Sequence, residues 1–140
     1  MAPVSKKVLV VEDEPNTAEM FAEMLRLRGY RVYKSYGSAS ALKQLTLVKP
    51  DAVTLDIMMP DLSGLEVLHF MRRDPAFEAI PVIVISAKGL LSDIKIGMDA
   101  GAALYLTKPV AYSELIKAVE DAMQNEKNRL ESEFSPRDTG

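Results

Sequence analysis

Glu12 and Asp13 follow one short apolar run, Asp56 follows another, Ser86 a third and Lys108 a fourth. If these runs are strands of one parallel sheet, their carboxyl ends bring three carboxylates, a hydroxyl and an ammonium to the edge where open α/β sheets collect functional groups. Carboxylates gathered there repel one another. At an effective dielectric near 20, a pair ~4 Å apart costs about 4 kcal/mol before any counter-charge. Lys108 supplies one positive charge, and a hard divalent cation would supply two more. Mg²⁺ suits such a cluster, because it takes one or two carboxylates, keeps several waters and often fills its shell with a phosphate oxygen. An oxygen-only site disfavours softer metals. A carboxylate beside Mg²⁺, a lysine and a hydroxyl is a set of parts for phosphoryl transfer, where the protein positions reactants and neutralises charge on the equatorial oxygens. Asp56, already ionised, would be the nucleophile and would form an acyl phosphate, with Mg²⁺, Lys108 and Ser86 each taking a phosphoryl oxygen.

Taken singly, each residue has a plainer use. Glu12-Asp13-Glu14 before Pro15 could cap a helix, Asp56 could be a turn residue before Met59-Pro60-Asp61, Ser86 a helix N-cap, and Lys108-Pro109 a solvated lysine at a turn. Their joint occurrence at the ends of apolar runs carries the chemical reading.

The elements that must position them read as follows. Val8–Val11, Arg31–Tyr33, Ala52–Leu55, Val82–Ile85 and Ala103–Leu106 are short and rich in β-branched residues, as strands are. Helical spacing lies between them: Ala18, Phe21, Met24 and Leu25 share a face, with Pro15 at the start and Gly29 as the stop. Ala41, Leu42, Leu45 and Val48 form the next stripe, ended by Pro50, and Ser63-Gly64-Leu65-Glu66 opens a third helix that buries Val67, Leu68 and Met71. A weaker fourth, Leu90–Ala100, would use Leu91, Ile94 and Met98; a fifth begins near Tyr112 and turns Leu115, Ile116, Val119, Ala122 and Met123 inward. Strand–helix alternation with short connections predicts a doubly wound α/β domain, a parallel sheet with helices on both faces.

The 140 residues, of which 17 are basic and 20 acidic, suit one domain and leave little length for a separate effector module. A net charge of −3 gives no long-range pull on polyphosphate, so direct nucleic-acid binding is not expected. No apolar run approaches a membrane span, and no signal peptide is evident, so no membrane role and a cytoplasmic location are expected. The absence of cysteine removes thiolate chemistry and Cys-based zinc sites. Residues 1–123 form the expected domain; 124–140 read as a solvated helical extension that frays into a flexible tail, or as a sparse stripe of Met123, Leu130 and Phe134 for a partner helix or a dimer.

With these residues assembled, the chain resembles the receiver domains of two-component response regulators. Val8-Leu9-Val10-Val11-Glu12-Asp13-Glu14-Pro15 is similar to the family's acidic first-strand motif, Asp56-Ile57-Met58-Met59-Pro60 with Gly64 to its phospho-acceptor loop, Ser86-Ala87 to its hydroxyl position, and Tyr105-Leu106-Thr107-Lys108-Pro109 to its lysine motif. The resemblance implies a flavodoxin-like five-stranded sheet of order 2-1-3-4-5 and phosphorylation from a phosphohistidine on a sensor histidine kinase or histidine phosphotransfer protein. It also implies Mg²⁺ held by Asp13, Asp56 and the Met58 carbonyl, with Glu12 acting through water. Ser86 and Tyr105 would be the switch residues that remodel the surface of the fourth helix, fifth strand and fifth helix for a downstream effector. Met58 and Lys88 would tune phosphoryl lifetime, and the Lys108–Pro109 bond would be cis. Ala102-Ala103 and Val110 depart from the family's usual residues and bear on partner choice. His69, the only histidine, lies off the Val67/Leu68/Met71 face, is expected to be exposed and is no phosphodonor.

An aspartate-nucleophile phosphatase is the enzymatic rival, but those enzymes carry a second carboxylate two residues on, where this chain has Met58. An FMN module would need a phosphate loop where this edge is acidic. A receiver-shaped scaffold would have to explain the intact site residues. The cognate kinase, the output, a phosphorylation-dependent homodimer through the Ile94–Val119 region, and whether the chain stands alone are all left open by the residues.

Overall fold

The computed structural model describes residues 5–134. Five strands, β1 (Lys7–Val11), β2 (Arg31–Ser35), β3 (Ala52–Leu55), β4 (Val82–Ser86) and β5 (Leu104–Thr107), alternate with five helices, α1 (Pro15–Leu27), α2 (Ser38–Val48), α3 (Gly64–Arg73), α4 (Leu91–Asp99) and α5 (Tyr112–Phe134). The strands pair in parallel in the order β2-β1-β3-β4-β5. This is the doubly wound, flavodoxin-like sheet expected from the sequence.

Period-2 alternation sends each strand's side chains into two cores. Val8, Val10, Ala52, Ile83 and Ile85 meet Phe21 and Leu25 of α1 and Leu115 and Val119 of α5. On the other face Leu9, Val11, Val53, Leu55 and Val84 meet Leu45 of α2 and Val67, Leu68 and Met71 of α3. The central strands are buried on both sides, which explains their unbroken apolar runs.

The fourth helix departs from expectation. Leu91 is 85% exposed, Met98 is also exposed, and the only buried residue of α4 is Gly97. The physical reason is the ring of Tyr105: a Cβ on Gly97 would stand 2.9 Å from its Cδ2, so α4 rests on β5 through glycine against tyrosine rather than through an aliphatic stripe. Strand ends also shift slightly. Ser86 is the last residue of β4 rather than the first beyond it, and β5 begins at Leu104, although the Ala103 N–H already bonds the Val82 carbonyl at 2.8 Å. Helix α5 runs without a break to Phe134, with Met123 and Leu130 half-buried; the Phe134 side chain and residues 135–140 lie outside the described residues. Among the described residues no helix is long and apolar enough to cross a membrane.

Candidate functional site

Strand order reverses between β1 and β3, and the crevice of an open α/β sheet lies at that point. Extension of the sheet's own ladder delivers the polar residues there. The Glu12 N–H bonds the Ser35 carbonyl at 3.0 Å, the Asp56 N–H bonds the Val11 carbonyl at 3.0 Å, and the Lys108 N–H bonds the Ser86 carbonyl at 2.9 Å. Each side chain is therefore aimed by a hydrogen bond to the strand beside it.

The three consecutive acids after β1 then divide their labour. Glu14 turns away and caps α1, accepting from the N–H groups of Asn16 and Thr17. Glu12 and Asp13 turn toward Asp56, and carboxylate oxygens of the three lie within 4.8 Å of one another. Lys108 crosses from β5 to join them, its Nζ 2.6 Å from Glu12 Oε1 and 3.0 Å from Asp56 Oδ2. The Lys108–Pro109 peptide bond is cis. Asp56 Oδ1 accepts from the Met58 N–H at 2.8 Å.

Glu12 is 2% and Asp56 6% exposed, so this electrostatics is poorly screened. Burial pushes the Glu12 carboxyl above the ordinary carboxylate range, against the pull of Lys108 and the Glu14 N–H, and the Asp56 charge pushes the same way as burial. Burial opposes the Lys108 ammonium, but its bonds to Glu12 and Asp56 outweigh that cost and hold it above the ordinary lysine value. One shared ammonium keeps its own proton without offsetting the burial of Glu12. The donor set, clustered hard oxygens short of positive charge, fits a divalent cation of the Mg²⁺ type.

Backbone approach completes the site. A Cβ on Gly64 would stand 2.4 Å from the Asp56 carbonyl oxygen, so only glycine lets α3 begin this close to the end of β3. Ser63 caps α3 by accepting from the Leu65 N–H, and its hydroxyl reaches the Ile57 carbonyl at 3.2 Å. Around the rim, fully buried Ser86 accepts at Oγ from the Lys88 N–H at 3.1 Å, and the Tyr105 hydroxyl donates to the Lys88 carbonyl at 2.6 Å. Burial raises the Tyr105 phenol above its ordinary value, with a hydrogen bond to Ser86 pulling the other way. Met58 and Lys88 are exposed, and His69 is exposed on α3, away from the apolar face. Sequence reasoning gave no part to Asp61 beyond a turn, nor any to Ser38. Asp61 lies in the β3–α3 loop and Ser38 bonds to it, and the one signal was Gly37, a helix N-cap without a capping side chain.

A five-stranded 2-1-3-4-5 sheet with an acid cluster and a lysine at its switch point and a buried hydroxyl at the end of β4 defines a class of signalling domain. The chain belongs to the response regulator receiver domain family, whose model matches residues 8–120, and is thus a receiver domain of a response regulator in two-component signalling. It is 39% identical over 109 residues to the "Probable transcriptional regulatory protein TcrX" of Mycobacterium tuberculosis, covering 78% of this chain and 46% of that protein. It is 37% identical over 113 residues to the response regulator MprA of the same species, covering 81% and 48%. The chain spans about half the length of the curated relatives it matches. Among solved structures, the Francisella response regulator 1452 receiver domain superposes with a TM-score of 0.80 at 28% identity, covering 86% of this chain and 98% of that one.

Proposed function

We propose that this domain is a phosphorylation switch in which Asp56 accepts a phosphoryl group from a phosphohistidine on a sensor histidine kinase or a histidine phosphotransfer protein. An Asp56 carboxylate oxygen attacks phosphorus, the N–P bond of the donor breaks, and the imidazole leaves as the acyl phosphate forms. The observation that carries the reading is the state of Asp56: a buried carboxylate held between Lys108 Nζ at 3.0 Å and the Met58 N–H at 2.8 Å, inside a cluster of three acids. Such a group is oriented for in-line attack, and Lys108 stands ready to neutralise an equatorial phosphoryl oxygen. Asp13, Asp56 and the Met58 carbonyl would hold Mg²⁺, with Glu12 acting through water; bound there, the ion would offset the negative charge gathered during transfer. Catalysis beyond the domain's own phosphorylation and dephosphorylation is not part of this reading, since Met58 stands where a phosphatase would place its second carboxylate.

On this reading Ser86 turns its hydroxyl from the Lys88 N–H to a phosphoryl oxygen, and Tyr105 leaves the Lys88 carbonyl and turns inward. The exposed apolar residues of α4, Leu91, Ile96 and Met98, are then re-presented with β5 and α5 to a downstream effector protein or to a second copy. Met58 and Lys88 flank the acceptor and set how fast water reaches the phosphoryl group. Residues 1–123 are the switch, with 124–140 a helical extension and tail, acting in the cytoplasm without direct nucleic-acid contact.

Intact-mass spectrometry tests the reading. With Mg²⁺ and a small acyl-phosphate donor the wild type gains one phosphoryl group and Asp56→Asn gains none. An unmodified wild type, under conditions that label another receiver domain, would overturn it.

A further inference from the structure

We propose that Asp61 is a positioning residue for the acceptor site: it reaches out of the β3–α3 loop to cap α2, and so fixes the loop that holds the Asp56 carboxylate. The proposal rests on Asp56 being the acceptor. It begins from a deficiency in α2, whose N-cap is Gly37, a residue with no side chain to receive the N–H groups of the first turn. Asp61 supplies the missing acceptor from another part of the chain, its Oδ1 taking the Ser38 N–H at 3.2 Å and its Oδ2 the Ala39 N–H at 3.2 Å. The exchange is mutual. Ser38, fully buried, donates its hydroxyl to the Leu62 carbonyl at 2.7 Å, so two segments 24 residues apart cap each other as a capping box does within one helix. Gly37 is part of the device, because a Cβ there would stand 3.1 Å from Asp61 Oδ2 and crowd the carboxylate. The N–H groups of Leu62, Ala39 and Ser38 hold the Asp61 carboxyl below its ordinary value, as expected of a charge at the positive end of a helix.

This cap matters to Asp56 because of how the loop is pinned. At its near end the Met58 N–H bonds Asp56 Oδ1 at 2.8 Å, and at its far end the Gly64 N–H and the Ser63 hydroxyl bond the Ile57 carbonyl at 3.1 and 3.2 Å. Between these ends Met58, Pro60, Asp61 and Leu62 are exposed, and the Asp61–Ser38 exchange ties that stretch to the body of the domain. Untied, the stretch moves about its two ends, and the first group to feel it is the Met58 N–H that orients the acceptor carboxylate.

The test compares the full chain with Asp61→Ala and Asp61→Asn, reading amide hydrogen exchange at Ser38, Ala39 and Met58, then the rate of phosphoryl incorporation from a small acyl-phosphate donor with Mg²⁺. In Asp61→Ala the Ser38 and Ala39 amides exchange about fivefold faster, the effect of a lost cap, the Met58 amide opens with them, and phosphorylation slows roughly threefold. Asp61→Asn keeps one of the two side-chain acceptors and loses the charge, so its Ser38, Ala39 and Met58 readings fall between the wild-type and Asp61→Ala values. A Met58 amide that stays fully protected while Ser38 and Ala39 open in Asp61→Ala overturns the proposal, and so does an asparagine variant as impaired as the alanine one. Should the wild type take up no phosphoryl group, the acceptor reading falls, while the Met58 exchange still decides the positioning.

Discussion

Asp13→Asn separates the cost of assembling the acid cluster from its benefit. Lys108 places its Nζ 2.6 Å from Glu12 and 3.0 Å from Asp56, while Asp13, with a carboxylate oxygen within 4.8 Å of both, adds a third negative charge to a site with one ammonium. Like charges ~4 Å apart cost about 1 kcal/mol in bulk water and about 4 kcal/mol at an effective dielectric near 20, and half-buried Asp13 falls between, at about 2 kcal/mol. Neutralising it without changing its shape therefore raises the melting temperature of the cation-free protein, by roughly 5–10 °C for a domain of this size. Divalent cation reverses the order. At ~100 times its dissociation constant a ligand bound only by the folded state adds about 2.7 kcal/mol, which the wild type gains and the variant, lacking a ligand oxygen with charge, does not. Thermal unfolding followed by circular dichroism, once with a chelator and once with Mg²⁺ at matched ionic strength, reads both halves. A variant that melts below the wild type in chelator refutes the repulsion argument. An equal gain with Mg²⁺ removes Asp13 from the ligand set.

Two further predictions concern parts of the fold away from the site. Arg72 donates to the carbonyls of Gly101 at 2.9 Å, Glu78 at 2.9 Å and Ile80 at 3.0 Å, clamping two loops at the amino ends of β4 and β5. Arg72→Met leaves three carbonyls without donors and lowers stability by roughly 2–4 kcal/mol in denaturant titration, with Asp56 phosphorylation retained; a loss below ~1 kcal/mol counts against the clamp. Hydrogen bonds from Lys34 and then Arg26 pull the Glu19 carboxyl from 4.5 down to about 2. A depressed carboxyl stabilises the folded state above its unfolded pKa and loses that contribution as pH falls through the folded one, so the denaturant-midpoint gap between wild type and Glu19→Gln narrows between 4.5 and about 2, and narrows in high salt. A gap that widens on acidification contradicts this.

The parallel sheet was legible because burial on both faces demands unbroken apolar runs, and Ala52–Leu55 and Val82–Ile85 are such runs. The spacing of α4 misled for an equally physical reason. Leu91, Ile94 and Met98 have the period of a buried stripe, but the helix docks against an aromatic ring that leaves room for nothing larger than Gly97. Periodicity reports which residues share a helix face, not whether a neighbour has space to receive that face. Glu12-Asp13-Glu14 shows a different limit: capping and site chemistry were opposed as readings of one acidic run, whereas Glu14 caps α1 and its two neighbours turn into the cluster.

What joins the site's parts is also what no local pattern could reveal. Glu12, Asp56 and Lys108 are each aimed by a backbone bond to the next strand, so strand order brings them together; right-handed crossovers restrict the orders open to alternating elements, and the order 2-1-3-4-5 itself is implied by the resemblance to receiver domains. Asp61 and Ser38 meet across a loop and a helix end, through side chains whose partners lie 23 and 24 residues away. Neither is apolar or periodic, and each alone reads as a turn or cap residue. The sequence trace of that contact is a missing part, Gly37 at a helix start that no local side chain serves. A helix N-terminus left uncapped by its own segment has N–H groups that water, a ligand or a distant side chain must satisfy. Searching for such unmet donors beside a candidate loop is therefore a physical route from sequence to long-range contacts that hydrophobic periodicity does not reach.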